Sequence, residues 1–100
     1  MDEPGFYIIK NGVLTGYVGA AQHAFIPAGV KHIAPYVFAR HDHLINVTFP
    51  EGLESIGEGA FSGCVRLREI RLGPDTAVGP GAFKGCPGIP EIIRESRSKP

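Results

Sequence analysis

"GEGAFSGC", residues 57–64, returns 22 residues later as "GPGAFKGC", residues 79–86, with six of eight positions identical. The glycine spacing is that of a phosphate loop. Such a loop, however, needs its glycines between a strand and the N-terminus of a helix, so that backbone N–H groups converge on the anion. Here Ala60 and Phe61 take apolar positions among the glycines, Cys64 follows, and the chain soon enters another β-prone run. A string needed twice at near-constant spacing points to architecture before chemistry.

Working outward, the chain aligns on itself as three units: residues 22–44, 45–67 and 68–89, with a period of 23 and then 22. Units one and two share Pro27 and Pro50, Gly29 and Gly52, Ile33 and Ile56, Phe38 and Phe61, and Leu44 and Leu67. Unit three is one residue short and lacks the Ile-Pro pair. Units this small cannot bury an apolar face alone and must stack on their neighbours. The expected fold is therefore a repeat solenoid, mainly β, of short parallel strands over residues 22–94.

Within a unit, alternation makes Val47 and Phe49 inward and Thr48 outward on one short strand, which Pro50 and Gly52 end. Leu53, Ile56, Ala60 and Phe61 then return to the core from the opposite wall. The period puts Phe38, Phe61 and Phe83 in one stacked inner column. Upstream, "FYIIK" and "VLTGYV" flank Asn11-Gly12, a hairpin signature because both turn positions accept positive φ. Residues 1–21 are thus expected to form a β-hairpin capping the first coil. At the other end a further strand is expected near Ile92. It leaves Ile89 and Ile92 at an open edge, and residues 95–100 form a polar tail.

Ten basic against ten acidic side chains leave zero formal charge, so nothing pulls the chain over long range toward nucleic acid or anionic membrane. Glycine at 14 and proline at 9, with 43% hydrophobic residues, fit short buried elements joined by tight turns. No apolar run is long enough to span a bilayer, and "MDEPG" is not the start of a signal peptide. The expected location is the cytosol if Met1 is the native start, and the cell surface or medium if the chain is a piece of a longer protein.

The strings "IPAGVKHIAPYVF" and "LINVTFPEGLESIGEGAFSGCVRL" resemble the BspA-like, Treponema-type leucine-rich repeats, and "NGVLTGYVG" is similar to the segment that often precedes them. The resemblance covers roughly residues 6 to 92. It implies a curved stack of strand-and-loop coils used for protein recognition, in a family often found on bacterial surfaces and linked to adhesion, with no catalytic residues and no cofactor.

The candidate chemistry among the residues is thin. Cys64 and Cys86 share one phase, with His41 at that phase in unit one. Equivalent atoms of stacked coils lie about 4.8 Å apart, which would allow a disulfide, while buried thiols need no partner. The expectation is two reduced, buried thiols. A column of His41, Cys64 and Cys86 supplies three ligands in a line where zinc wants four in a tetrahedron. "HDH" at residues 41–43 reads as a solvated turn. Serines 55, 62, 96 and 98 have no histidine beside them in sequence, so no nucleophile is assigned.

More informative is the outward row of the strand ladder: Gln22, His23 and Phe25; Ile45, Asn46 and Thr48; Arg68, Glu69 and Arg71; Glu91 and Ile93. Apolar Phe25 and Ile45 rimmed by Arg and Glu have the make-up of a binding patch. The expected partner is a protein of unknown identity met on this face, with no nucleic acid and no membrane insertion. The alternatives are a structural fragment of a longer repeat protein and a homodimer joined through the C-terminal edge.

Overall fold

The structure is a computed structural model that describes residues 6–73, 75–87 and 93–94. It is a β-rich repeat fold with no helix among the described residues. Strands β1 (Phe6–Lys10) and β2 (Val13–Val18) form the hairpin, and the turn residues Asn11 and Gly12 have φ of 52° and 79°. The three units contribute β3 (His23–Phe25) and β4 (His32–Ile33), β5 (Asn46–Thr48) and β6 (Ser55–Ile56), then β7 (Glu69–Leu72) and β8 (Ala77–Val78). The last strand is β9 (Ile93–Arg94).

These strands make two sheets, ordered β1-β2-β4-β6-β8 and β3-β5-β7-β9, parallel throughout except for the antiparallel β1–β2 pair. Each unit therefore carries two strands where the alternation signal marks only one. The second is two residues long, too short to show a period, and exists because Ile33 and Ile56 stack in register with Leu14 on one side and Val78 on the other. The hairpin does more than lie over the first coil. Its β2 pairs in parallel with β4, Val13 opposite His32 and Leu14 opposite Ile33, so it takes the place of a coil strand.

The core lies between the two sheets. Ala24, Val47 and Ile70 are buried on one wall, and Leu14, Ile33 and Ile56 on the other. The phenylalanine column is present: Phe38 and Phe61 stack at 5.0 Å and 3°, Phe61 and Phe83 at 5.3 Å and 9°. Tyr17 extends it into the hairpin at 4.9 Å from Phe38, with Tyr7 a further 5.2 Å on. The inner face of the hairpin thus joins the core, while Phe6, Ile8 and Val18 stay exposed.

The phenylalanine column sits on a corner with its own coil-to-coil hydrogen bonds. The N–H groups of Phe38 and Phe61 donate to Ala60 and Ala82 at 2.8 and 2.7 Å, flanked by Tyr36 to Glu58, Arg40 to Ser62, Gly59 to Pro80 and Gly63 to Lys84. Gly59, Gly63, Gly81 and Gly85 hold positive φ there, and in the first coil Tyr36 and Arg40 do so at 61° and 63°. Gly57 is required for a different reason. A Cβ on it would lie 2.7 Å from the Ile33 carbonyl oxygen and 2.8 Å from the Pro35 nitrogen, backbone that cannot yield.

The register places the missing residue of unit three. Val47 pairs with Ile70 at a separation of 23, but Ser55 pairs with Ala77 at 22, so the deletion falls in the corner between β7 and β8. Thr76 is buried in that corner, and its hydroxyl donates to the Leu53 carbonyl at 2.9 Å. The expected last strand is seen as β9, Arg71 opposite Ile93 and Leu72 opposite Arg94. Ile89, Ile92 and the tail expected over residues 95–100 lie outside the described residues.

Candidate functional site

In the four-stranded sheet, strand register aligns His23 with Asn46 and Glu69 in one row and Phe25 with Thr48 in another, while Arg71 pairs with Ile93. Phe25 is 64% exposed, and the Nδ2 of Asn46 lies 3.1 Å from the Nδ1 of His23 across the strands. Thr48 and Arg68 are exposed. Ile45 and Asn46 are half-buried, and the Ile45 N–H donates to the Gln22 carbonyl at 2.7 Å at the strand's entry. Glu91 lies outside the described residues. Strand β3 is the free edge of this sheet, and there the Phe25 N–H donates to the Tyr7 hydroxyl at 3.0 Å.

The glycine strings are corners between coils. In the first copy the N–H groups of Gly57, Gly59, Phe61 and Gly63 are all engaged by carbonyls of neighbouring coils, so they do not converge on an anion.

Cys64 and Cys86 are buried free thiols. Each donates to a carbonyl of the preceding coil, Cys64 to Phe38 at 3.0 Å and Cys86 to Phe61 at 3.1 Å, so the phase match serves the backbone ladder. Burial pushes the Cys64 thiol up to about 11 and raises that of Cys86, which keeps both protonated and poorly nucleophilic. His41 packs its ring on Tyr17 and Phe38, centroids 5.2 and 5.7 Å apart. Among the described residues no three potential ligands gather as a metal site would need.

One pairing was not read from the sequence. Ser55 Oγ and His32 Nδ1 share a hydrogen bond of 2.8 Å, and the Glu54 carboxylate lies 3.7 Å from His32 Nε2. The signal was available in their separation of 23, one period, which makes them direct cross-strand neighbours. Serine, histidine and acid together invite comparison with a hydrolytic triad, which also needs N–H donors aimed at a developing oxyanion. The N–H groups of Glu54, Ser55 and Gly57 donate instead to Lys31 and Ile33 carbonyls, leaving none of the three for that task. The pair is a rung of the sheet.

Among the described residues no helix is long and apolar enough to cross a membrane. The family model for the BspA type leucine rich repeat region, a model of 6 copies, matches residues 8–97. No curated protein and no solved structure matches this chain.

Proposed function

This chain belongs to the BspA-type leucine-rich repeat family, and from that premise we propose that it is a non-catalytic protein-interaction module with a role in adhesion. Its architecture in this proposal is a solenoid of about three coils over residues 22–94, capped by the hairpin of residues 1–21 and followed by a polar tail at 95–100. The binding surface is the outward face of the β3-β5-β7-β9 ladder, carried by His23, Phe25, Asn46, Thr48, Arg68, Glu69, Arg71, Glu91 and Ile93, with Ile45 at its margin. The observation that carries the proposal is Phe25. A phenylalanine 64% exposed on a regular strand face, opposite exposed Thr48 and two residues from exposed His23, has the make-up of an interface anchor.

The test is capture of a partner by the folded domain, compared with Phe25→Ser combined with Thr48→Glu. Both positions are exposed, so thermal unfolding should not move, while recovery of the partner should collapse. Equal recovery by wild type and variant would place the interface elsewhere.

One observation favours a second reading, a self-associating or terminal part of a longer repeat array. Gly81, Phe83 and Gly85 stand where Gly59, Phe61 and Gly63 donate to the next coil, and no described residue accepts from their N–H groups. With β8 as the last described strand of its sheet, this end is where a second copy or a further coil would dock in this reading. Sedimentation over a concentration series tests self-association, and a monomer throughout would exclude the homodimer.

A further inference from the structure

The hairpin gives strands to only one of the two sheets: β2 pairs with β4, while β3 is the end strand of the other sheet among the described residues. In a parallel ladder, alternate residues turn their backbone groups to opposite sides of the strand. Gln22 accepts from Asn46 and Ile26 donates to Thr48, so these two face β5, and His23 and Phe25 turn their N–H and C=O groups to the open side. There the Tyr7 hydroxyl accepts the Phe25 N–H at 3.0 Å. On the segment leading into β3, the Tyr17 hydroxyl accepts the Ala21 N–H at 3.3 Å. Both rings are held by the core, Tyr7 against Tyr17 at 5.2 Å and Tyr17 against Phe38 at 4.9 Å, in continuation of the phenylalanine column.

From this geometry we infer that Tyr7 and Tyr17 stand in for a preceding strand at the β3 edge, their hydroxyls fixing β3 in register so that Tyr7 positions Phe25 for the partner. The inference rests on the protein-binding role proposed above. In the next coil the equivalent task falls to backbone, where the Asn46 N–H donates to the Gln22 carbonyl at 3.1 Å. A phenol suits the first coil because its ring can belong to the core while its hydroxyl reaches a backbone donor beyond it. Phenylalanine would stack as well but accept nothing. Tyr7 acts on Phe25 through the main chain alone, which leaves that ring 64% exposed on the face. An edge strand held in this way spends less ordering entropy when a partner docks on it.

The experiment is Tyr7→Phe, which keeps the ring and removes the acceptor, read by amide hydrogen exchange in NMR. Exchange at Phe25 should rise about fivefold, as for loss of one hydrogen bond of ordinary net strength, and Tyr17→Phe should act likewise at Ala21. The amides of Phe38 and Phe61, bonded to Ala60 and Ala82, should keep their wild-type protection. Recovery of the partner in the capture assay above should fall with Tyr7→Phe although Phe25 itself is intact. Unchanged exchange at Phe25, or a rise shared equally by Phe38 and Phe61, overturns the inference. If Phe25→Ser with Thr48→Glu abolishes capture while Tyr7→Phe leaves it whole, the positioning role falls and the ladder face stands. If exchange rises at Phe25 alone while capture ignores the ladder variant, the ladder-face proposal falls and the tyrosine closure of the edge stands.

Discussion

Phe61 is the residue whose removal tests the stacked architecture most directly. Its side chain is fully buried, sandwiched between Phe38 at 5.0 Å and Phe83 at 5.3 Å, and Phe49 meets it edge-on at 5.9 Å. Phe61→Ala removes roughly 150 Å² of buried apolar surface, which at about 25 cal/mol per Å² is about 4 kcal/mol. A cavity closed in by rigid coils on both sides relaxes little, so the loss belongs in the ~3–5 kcal/mol range of buried aromatic deletions. That is a large share of the ~5–15 kcal/mol by which a domain is stable. Phe83 ends the described column, half-buried with one ring stacked on it, so Phe83→Ala should cost about half as much, near 2 kcal/mol. Urea titration followed by circular dichroism, with an unchanged dependence on denaturant as the control, measures both. A loss below about 1 kcal/mol for Phe61→Ala, or an equal loss for Phe83→Ala, would refute the column as a principal source of stability.

Two further outcomes follow from the corners and thiols. Cys64 and Cys86 should react slowly with a thiol reagent in the folded protein and fast once it is unfolded; rapid native labelling would contradict their burial. Because the folded value for Cys64 is raised from 9.0 to about 11, the folded chain holds its proton where the unfolded chain releases it, so this contribution to stability is intact below pH 9.0 and declines as pH rises toward about 11. Urea midpoints at pH 8, 10 and 11 should show that decline, and Cys64→Ala should reduce it. Gly57→Ala pushes a methyl against the backbone of the preceding coil and should cost ~2–3 kcal/mol as overpacking. Gly52→Ala, at φ +87° with nothing within 4 Å, meets only the conformational penalty of about 1 kcal/mol, and equal losses would show that the coils do not approach so closely.

The sequence by itself determined the repeat, the inward phase and the hairpin. Apolar residues recurring at 23 and then 22 mark what must be buried together, which makes Phe38, Phe61 and Phe83 legible as a column in the sequence itself. Asn11-Gly12 encodes its turn locally, because positive φ is costly for most other residues. Alternation along β5 likewise told Val47 from Thr48. Other features belong to the closed coil. Strands of two residues such as β4 and β6 carry no period and are made only by stacking on one another. Tyr36 and Arg40 adopt positive φ with no glycine to announce it, held there by N–H bonds to Glu58 and Ser62 of the next coil. The pairing of His32 with Ser55 and the turning of each thiol toward a carbonyl both depend on contacts between segments a full period apart. A sequence records which side of the chain is apolar; the distance between two coils is decided only when their backbones meet, and on this protein the candidate site is built from such meetings.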